Sequence, residues 1–189
     1  FYKAHLSTWI QKPTAKKGHY IIEETRSDLS QTRVQVRELN QRDAEHLISC
    51  FPKVVKSEVN REQLEIRNLL LGYLLYTTGL RANELLSLNW GSFRYNRQGY
   101  LYVDVIGKGN KPRTIPIKEE TEQLLFKYRR SLGEPVEIDT EDVSPLFFSL
   151  YNKKEPLKNK KRLTYPSLYK IVKEAVQLAG RQSKVSAHW

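Results

Sequence analysis

Residues 77–90 read "TTGLRANELLSLNW". Gly79 suits the left-handed position that closes a helix, so the apolar run before it, within a helix over 61–78, should end here. The second half of that helix, "LLLGYLLY", is apolar nearly all round and belongs in a core. A helix restarts at once over 81–89, with Leu85, Leu86 and Leu88 as buried candidates. Arg81 therefore stands at a helix start, where outward-pointing backbone N–H groups favour an anion. Its planar fork fits two oxygens of a phosphate. Glu84 follows three residues on, on the same helical face, where it can hold the arginine in one rotamer. The same spacing also describes an ordinary surface Arg–Glu pair.

Downstream the period changes from helical to alternating. "YLYVDVI" at 100–106 and "PRTIPI" at 112–117 are β-rich and read as a hairpin, with "GKGNK" at its tip. Lys108 lies between two glycines there. Such a lysine can stabilise a phosphate, or protonate a leaving oxygen if its pKa is lowered; it can equally be a solvated turn residue. His188, after "KVSA", is a further group able to exchange a proton near neutral pH.

The rest of the chain is mostly helical. Asn40 is placed to cap a helix whose Ala44, Leu47, Ile48 and Phe51 fall at i, i+3, i+4 and i+7, on one apolar face. Residues 119–132 carry Leu124, Leu125, Tyr128 and Leu132 on one stripe. "LFFSL" at 146–150 reads as a buried strand or extended segment. The last helix begins in "TYPSLYK", with Thr164 as candidate cap and Pro166 in its first turn, and stops at Gly180. Residues 19–37 are polar and weakly patterned, which puts a domain boundary near residue 38.

Charge narrows the function. The net charge is +11, which points to nucleic acid before membranes or acidic proteins. It is segregated: residues 119–142 hold eight acids against three bases, while 151–162 hold six bases and one acid. That pattern suits one face toward DNA and another toward solvent or protein. No apolar run approaches the ~18 residues of a membrane span. The single Cys50 excludes an intrachain disulfide framework and favours a reducing, cytoplasmic setting. The four histidines have no zinc spacing, and "GKGNK" lacks the pattern of a P-loop.

Taken in order, "TTGLRANELLSLNW", "VIGKGNKPRTIPI" and "LTYPSLYKIVKEAVQLAG…KVSAHW" resemble the boxes of the tyrosine recombinase (phage-integrase-like) catalytic domain, over roughly residues 38–189. The resemblance implies an α+β, mostly helical fold with a small antiparallel hairpin or sheet, and makes residues 1–37 the end of an N-terminal core-binding domain plus linker. It implies that Arg81 clamps the scissile phosphate, Lys108 protonates the departing 5′-oxygen, His188 belongs to the His-x-x-Arg box and Glu84 supports the arginine. It implies no metal and no nucleotide cofactor. Its partners would be double-stranded recombination sites, held by a homo-tetramer. Lys111, Arg113, Lys160, Lys161 and Arg162 are candidate phosphate contacts. The family's second arginine and its tyrosine nucleophile are expected beyond His188. The chain as given is therefore expected not to cleave DNA by itself, while its full-length parent does. A non-catalytic DNA-binding relative and a type IB topoisomerase are the competing readings.

Overall fold

The structure is a computed structural model that describes residues 40–107, 109–150 and 160–180. Lys108, His188, residues 1–39 and most of the basic run lie outside the described residues. All described residues belong to the unit Leu39–Trp189.

Helix α1 spans Gln41–Cys50, and the Asn40 side chain accepts the Asp43 N–H at 2.9 Å, as the capping signal predicts. Its predicted face is buried: Ala44, Leu47, Ile48 and Phe51. Helix α2, Arg61–Thr78, is the central element and packs against both α1 and α4 (Glu119–Ser131). Leu64, Leu70, Leu71 and Leu74 are fully buried on it. Each contributes about 1.5–3 kcal/mol through apolar burial. Gly79 ends α2 at φ 61°, a conformation that costs a residue with a Cβ. The chain then turns directly into α3, Ala82–Ser87.

A three-stranded antiparallel sheet follows, ordered β1 (Phe93–Tyr95), β2 (Leu101–Ile106) and β3 (Pro112–Pro116). The β2–β3 hairpin is the expected one, with Val103 opposite Ile115 and Val105 opposite Arg113. Strand β1 was not anticipated, because three residues are too few to display alternation. Phe93, Leu101, Val103 and Val105 face the core. On the other face Asp104 accepts from Arg94 and Thr114, tying all three strands together.

Helix α4 places Leu125, Tyr128 and Leu132 inside, with Leu124 only half-buried. Residues 146–150 form no sheet strand. They bend between two distant pieces of chain: Leu146 N–H donates to Leu88 O and Leu163 N–H to Phe147 O, both at 2.9 Å, and Phe148 forms an isolated bridge with Arg162. Helix α5, Tyr165–Leu178, buries Leu168, Ile171, Val172, Ala175 and Val176. Thr164 occupies its N-cap position but makes no capping bond; its hydroxyl lies 3.0 Å from Ser167 Oγ instead.

Two buried arginines belong to the scaffold. Arg67 is 1% exposed and donates to Phe148 O at 3.1 Å and Asn68 Oδ1 at 3.0 Å. Arg129 stacks over the Trp90 ring at 4.4 Å and pairs with Asp142 at 3.2 Å. A buried cation needs such partners to offset its desolvation. Glu134 likewise pairs with Lys160. Part of the acidic segment is thus turned inward, as counter-charge for the fold's own bases.

Candidate active site

The α2–α3 turn and the β2–β3 hairpin meet at one carboxylate. Arg81 sits in extended backbone just before α3, and its N–H donates to Glu84 Oε2 at 2.8 Å. This bond uses one of the N–H groups that a helix start leaves without an intrahelical partner. Arg81 Nη1 then donates to Glu84 Oε1 at 3.0 Å, the pairing that the i, i+3 spacing predicts.

A third member, Arg113, is a candidate phosphate contact by sequence but is turned onto the same carboxylate in the fold. Arg113, on β3, donates through Nη2 to Glu84 Oε2 at 2.7 Å and through Nη1 to Oε1 at 3.3 Å. Two guanidinium groups therefore share one carboxylate. A signal for this existed: strand alternation puts Arg113 on the same face as Ile115, which packs on the core. A charged residue at an inward-facing strand position calls for a buried partner.

The electrostatics are asymmetric. The Glu84 side chain is 7% exposed, Arg113 37% and Arg81 56%. Burial pushes the Glu84 carboxyl up. The Arg81 N–H and guanidinium, with the charge and hydrogen bonds of Arg113, outweigh burial and hold it below the usual carboxylate value. It stays ionised, and the trio keeps one net positive charge whose exposed edge is Arg81. An exposed guanidinium edge of this kind has the charge and the donors to meet an oxyanion.

Of the other predicted residues, the β2–β3 turn brings Lys111 near this cluster. Gly107 N–H closes that turn on Lys111 O at 2.8 Å, and a Cβ added at Gly107 would lie 3.6 Å from Glu84 Oε1. Lys111 and Lys161 are exposed. Lys160 and Arg162 are held by the fold itself. Lys160 pairs with Glu134 and lies over the Phe148 ring. Arg162 donates to Leu86 O at 2.8 Å, Leu88 O at 2.9 Å and Asn89 Oδ1 at 2.6 Å. Among the described residues no group of three or more His, Cys, Asp or Glu could hold a metal ion, and no helix is long and apolar enough to cross a membrane.

The site thus consists of two arginines on one buried carboxylate, carried by a helical scaffold beside a small antiparallel hairpin. Residues 37–189 match the model of the phage integrase family, and the chain belongs to that family. It is 34% identical to the tyrosine recombinase XerD of Haemophilus ducreyi over 131 residues, which are 67% of this chain and 39% of that protein. It is 32% identical to XerA of Pyrococcus furiosus over 152 residues, 80% of this chain and 44% of that protein. Among solved structures it is similar to the XerH site-specific recombinase bound to palindromic difH substrate, in a post-cleavage complex. That likeness has a TM-score of 0.60 and 28% identity, and covers 80% of this chain and 38% of XerH. The chain spans less than half the length of these relatives.

Proposed function

We propose that this chain is the catalytic domain, from residue 38 onward, of a site-specific DNA recombinase, with residues 1–37 the end of a core-binding domain and its linker. The observation that carries the reading is the exposed Arg81 guanidinium, anchored by a buried carboxylate in a chain of the phage integrase family. The likeness to XerH, solved on its DNA substrate, supports a duplex DNA partner.

In the complete protein a tyrosine hydroxyl attacks the scissile phosphorus. The new bond is a 3′-phosphotyrosyl ester, and the bond to the 5′-oxygen breaks. The departing oxygen takes up a proton and leaves as a 5′-hydroxyl. Attack by a 5′-hydroxyl on the ester reverses the step and rejoins the strand, so no water is consumed. Negative charge builds on the non-bridging oxygens during the transfer. Cations already fixed in place lower that barrier without reorganising at the moment of reaction. Arg81 is the clamp on those oxygens. By resemblance to the family, Lys108 donates the proton to the 5′-oxygen and His188 serves the same phosphate. Lys111 and Lys161, exposed and basic, supply phosphate contacts that fix the duplex without reading its sequence. Exchange between two sites calls for four copies, one per strand cut.

The test incubates the complete protein with duplex fragments of genomic DNA from its source, then adds denaturing detergent. A covalent, protease-sensitive protein–DNA adduct is expected. Arg81→Ala should lose the adduct and keep most of its salt-dependent binding. Binding without any adduct in the unmutated protein would instead identify a non-catalytic DNA-binding relative.

A further inference from the structure

We infer that Arg113 is a positioning residue for Arg81, acting through the Glu84 carboxylate that the two arginines share; the inference rests on the reading of Arg81 as a phosphate clamp. Glu84 receives four donors, two on each oxygen: Arg81 Nη1 and Arg113 Nη1 on Oε1, and Arg81 N–H and Arg113 Nη2 on Oε2. An ionised carboxylate has about four acceptor sites, so this one is filled. The two arginines use it differently. Arg113 binds with both prongs of its fork and thereby fixes the plane of the carboxylate. Arg81 gives a single side-chain bond and leaves its remaining prongs toward solvent, where its side chain is 56% exposed.

Without Arg113 the two acceptor sites it occupies become vacant. The carboxylate is then free to turn and take a second prong of Arg81. That closed pair is neutral and has fewer donors left for a phosphate. Arg113 thus keeps Arg81 half-engaged and the cluster net positive. It also sets the spacing between two parts of the chain. Arg113 stands opposite Val105 in the hairpin, and a Cβ added at Gly107 would lie 3.4 Å from its Nη1. The carboxylate that orients Arg81 is therefore the one against which the hairpin stem rests.

Two measurements on the complete protein test this. The first needs no DNA chemistry: the rate at which phenylglyoxal modifies Arg81, followed by peptide mass spectrometry. Arg113→Gln should slow it severalfold, Glu84→Gln should speed it, and Arg113→Gln should add nothing in the Glu84→Gln background. A merely structural loss would loosen the fold and speed labelling instead. The second is covalent adduct formation at saturating protein, on a fragment that the unmutated protein cuts. Arg113→Gln should slow it by roughly 10- to 100-fold, the scale of a small misplacement of a reacting group. The salt dependence of binding should be unchanged. A fall of about 0.9 in the log–log salt slope with an unchanged cleavage rate would make Arg113 a direct phosphate contact and overturn the inference. So would effects of Arg113→Gln and Glu84→Gln that multiply, because each would then act without the other. Slowed labelling without an adduct in any fragment would preserve the arginine pairing and defeat the recombinase reading. Should Arg113→Gln melt below the assay temperature, Arg113→Lys, which keeps the charge and loses the fork, takes its place in both measurements.

Discussion

Replacing Arg162 with alanine separates two roles for a basic residue in a DNA-binding protein. The guanidinium donates to Leu86 O, Leu88 O and Asn89 Oδ1 at the C-terminal end of α3. The last carbonyls of a helix have no partner within it, and a cation there also meets the negative end of the dipole. A hydrogen bond from a charged donor contributes about 1.5–3 kcal/mol. Three such bonds do not sum fully, because Arg162 is only partly buried and water reaches some of the vacated acceptors. The expected loss is about 3 kcal/mol. For a chain of this size that lowers Tm by roughly 6–12 °C. The assay pairs calorimetry with duplex binding over a range of salt, well below the transition. Stability should fall while the salt slope holds. An unchanged Tm with a slope reduced by about 0.9 would refute the capping role and make Arg162 a phosphate contact.

Two further variants probe the scaffold. Glu84 has a depressed pKa, so it contributes stability above the ordinary glutamate value of 4.5 and loses it as pH falls through its lower folded value. The stability deficit of Glu84→Gln, from urea unfolding at pH 7, 5 and 3, should be full at the first two and shrink at the third; a deficit that grows in acid contradicts the pairing. Gly91→Ala would put a Cβ 2.5 Å from Thr140 O and 2.8 Å from Asp142 O, both backbone atoms. The overlap should cost about 1–3 kcal/mol, read as a lower Tm, whereas a neutral result would mean that the loop over Trp90 yields freely.

Much of the architecture was legible because it repeats at a fixed period. The stripe of α1 and the two long strands display their period over five residues or more, and the all-round apolar second half of α2 and Gly79 mark a core helix and its end. β1 has only Phe93–Tyr95 and borrows its strand character from β2. In the site, the Arg81–Glu84 pair was legible because helical geometry joins residues three apart. Arg113 meets the same carboxylate from 29 residues away, a pairing that only the hairpin's position creates. The basic residues 160–162 looked alike in sequence, yet only Lys161 is exposed; Lys160 and Arg162 are held by groups many residues distant. Composition counts charges and does not say which are already paired.

The Arg162 contact has a kinetic consequence as well. It joins residues 76 apart, and closing a flexible loop of that length costs about 4 kcal/mol of chain entropy. Such a contact is expected to form after nearer elements have collapsed and to contribute little to the rate-limiting assembly. Interactions absent from the transition state act on the escape rate from the native state. By tying 86–89 to the entrance of α5, Arg162 and the 146–150 segment are expected to act as a late-closing latch, so that Arg162→Ala should speed unfolding in a denaturant jump while leaving the folding rate nearly unchanged.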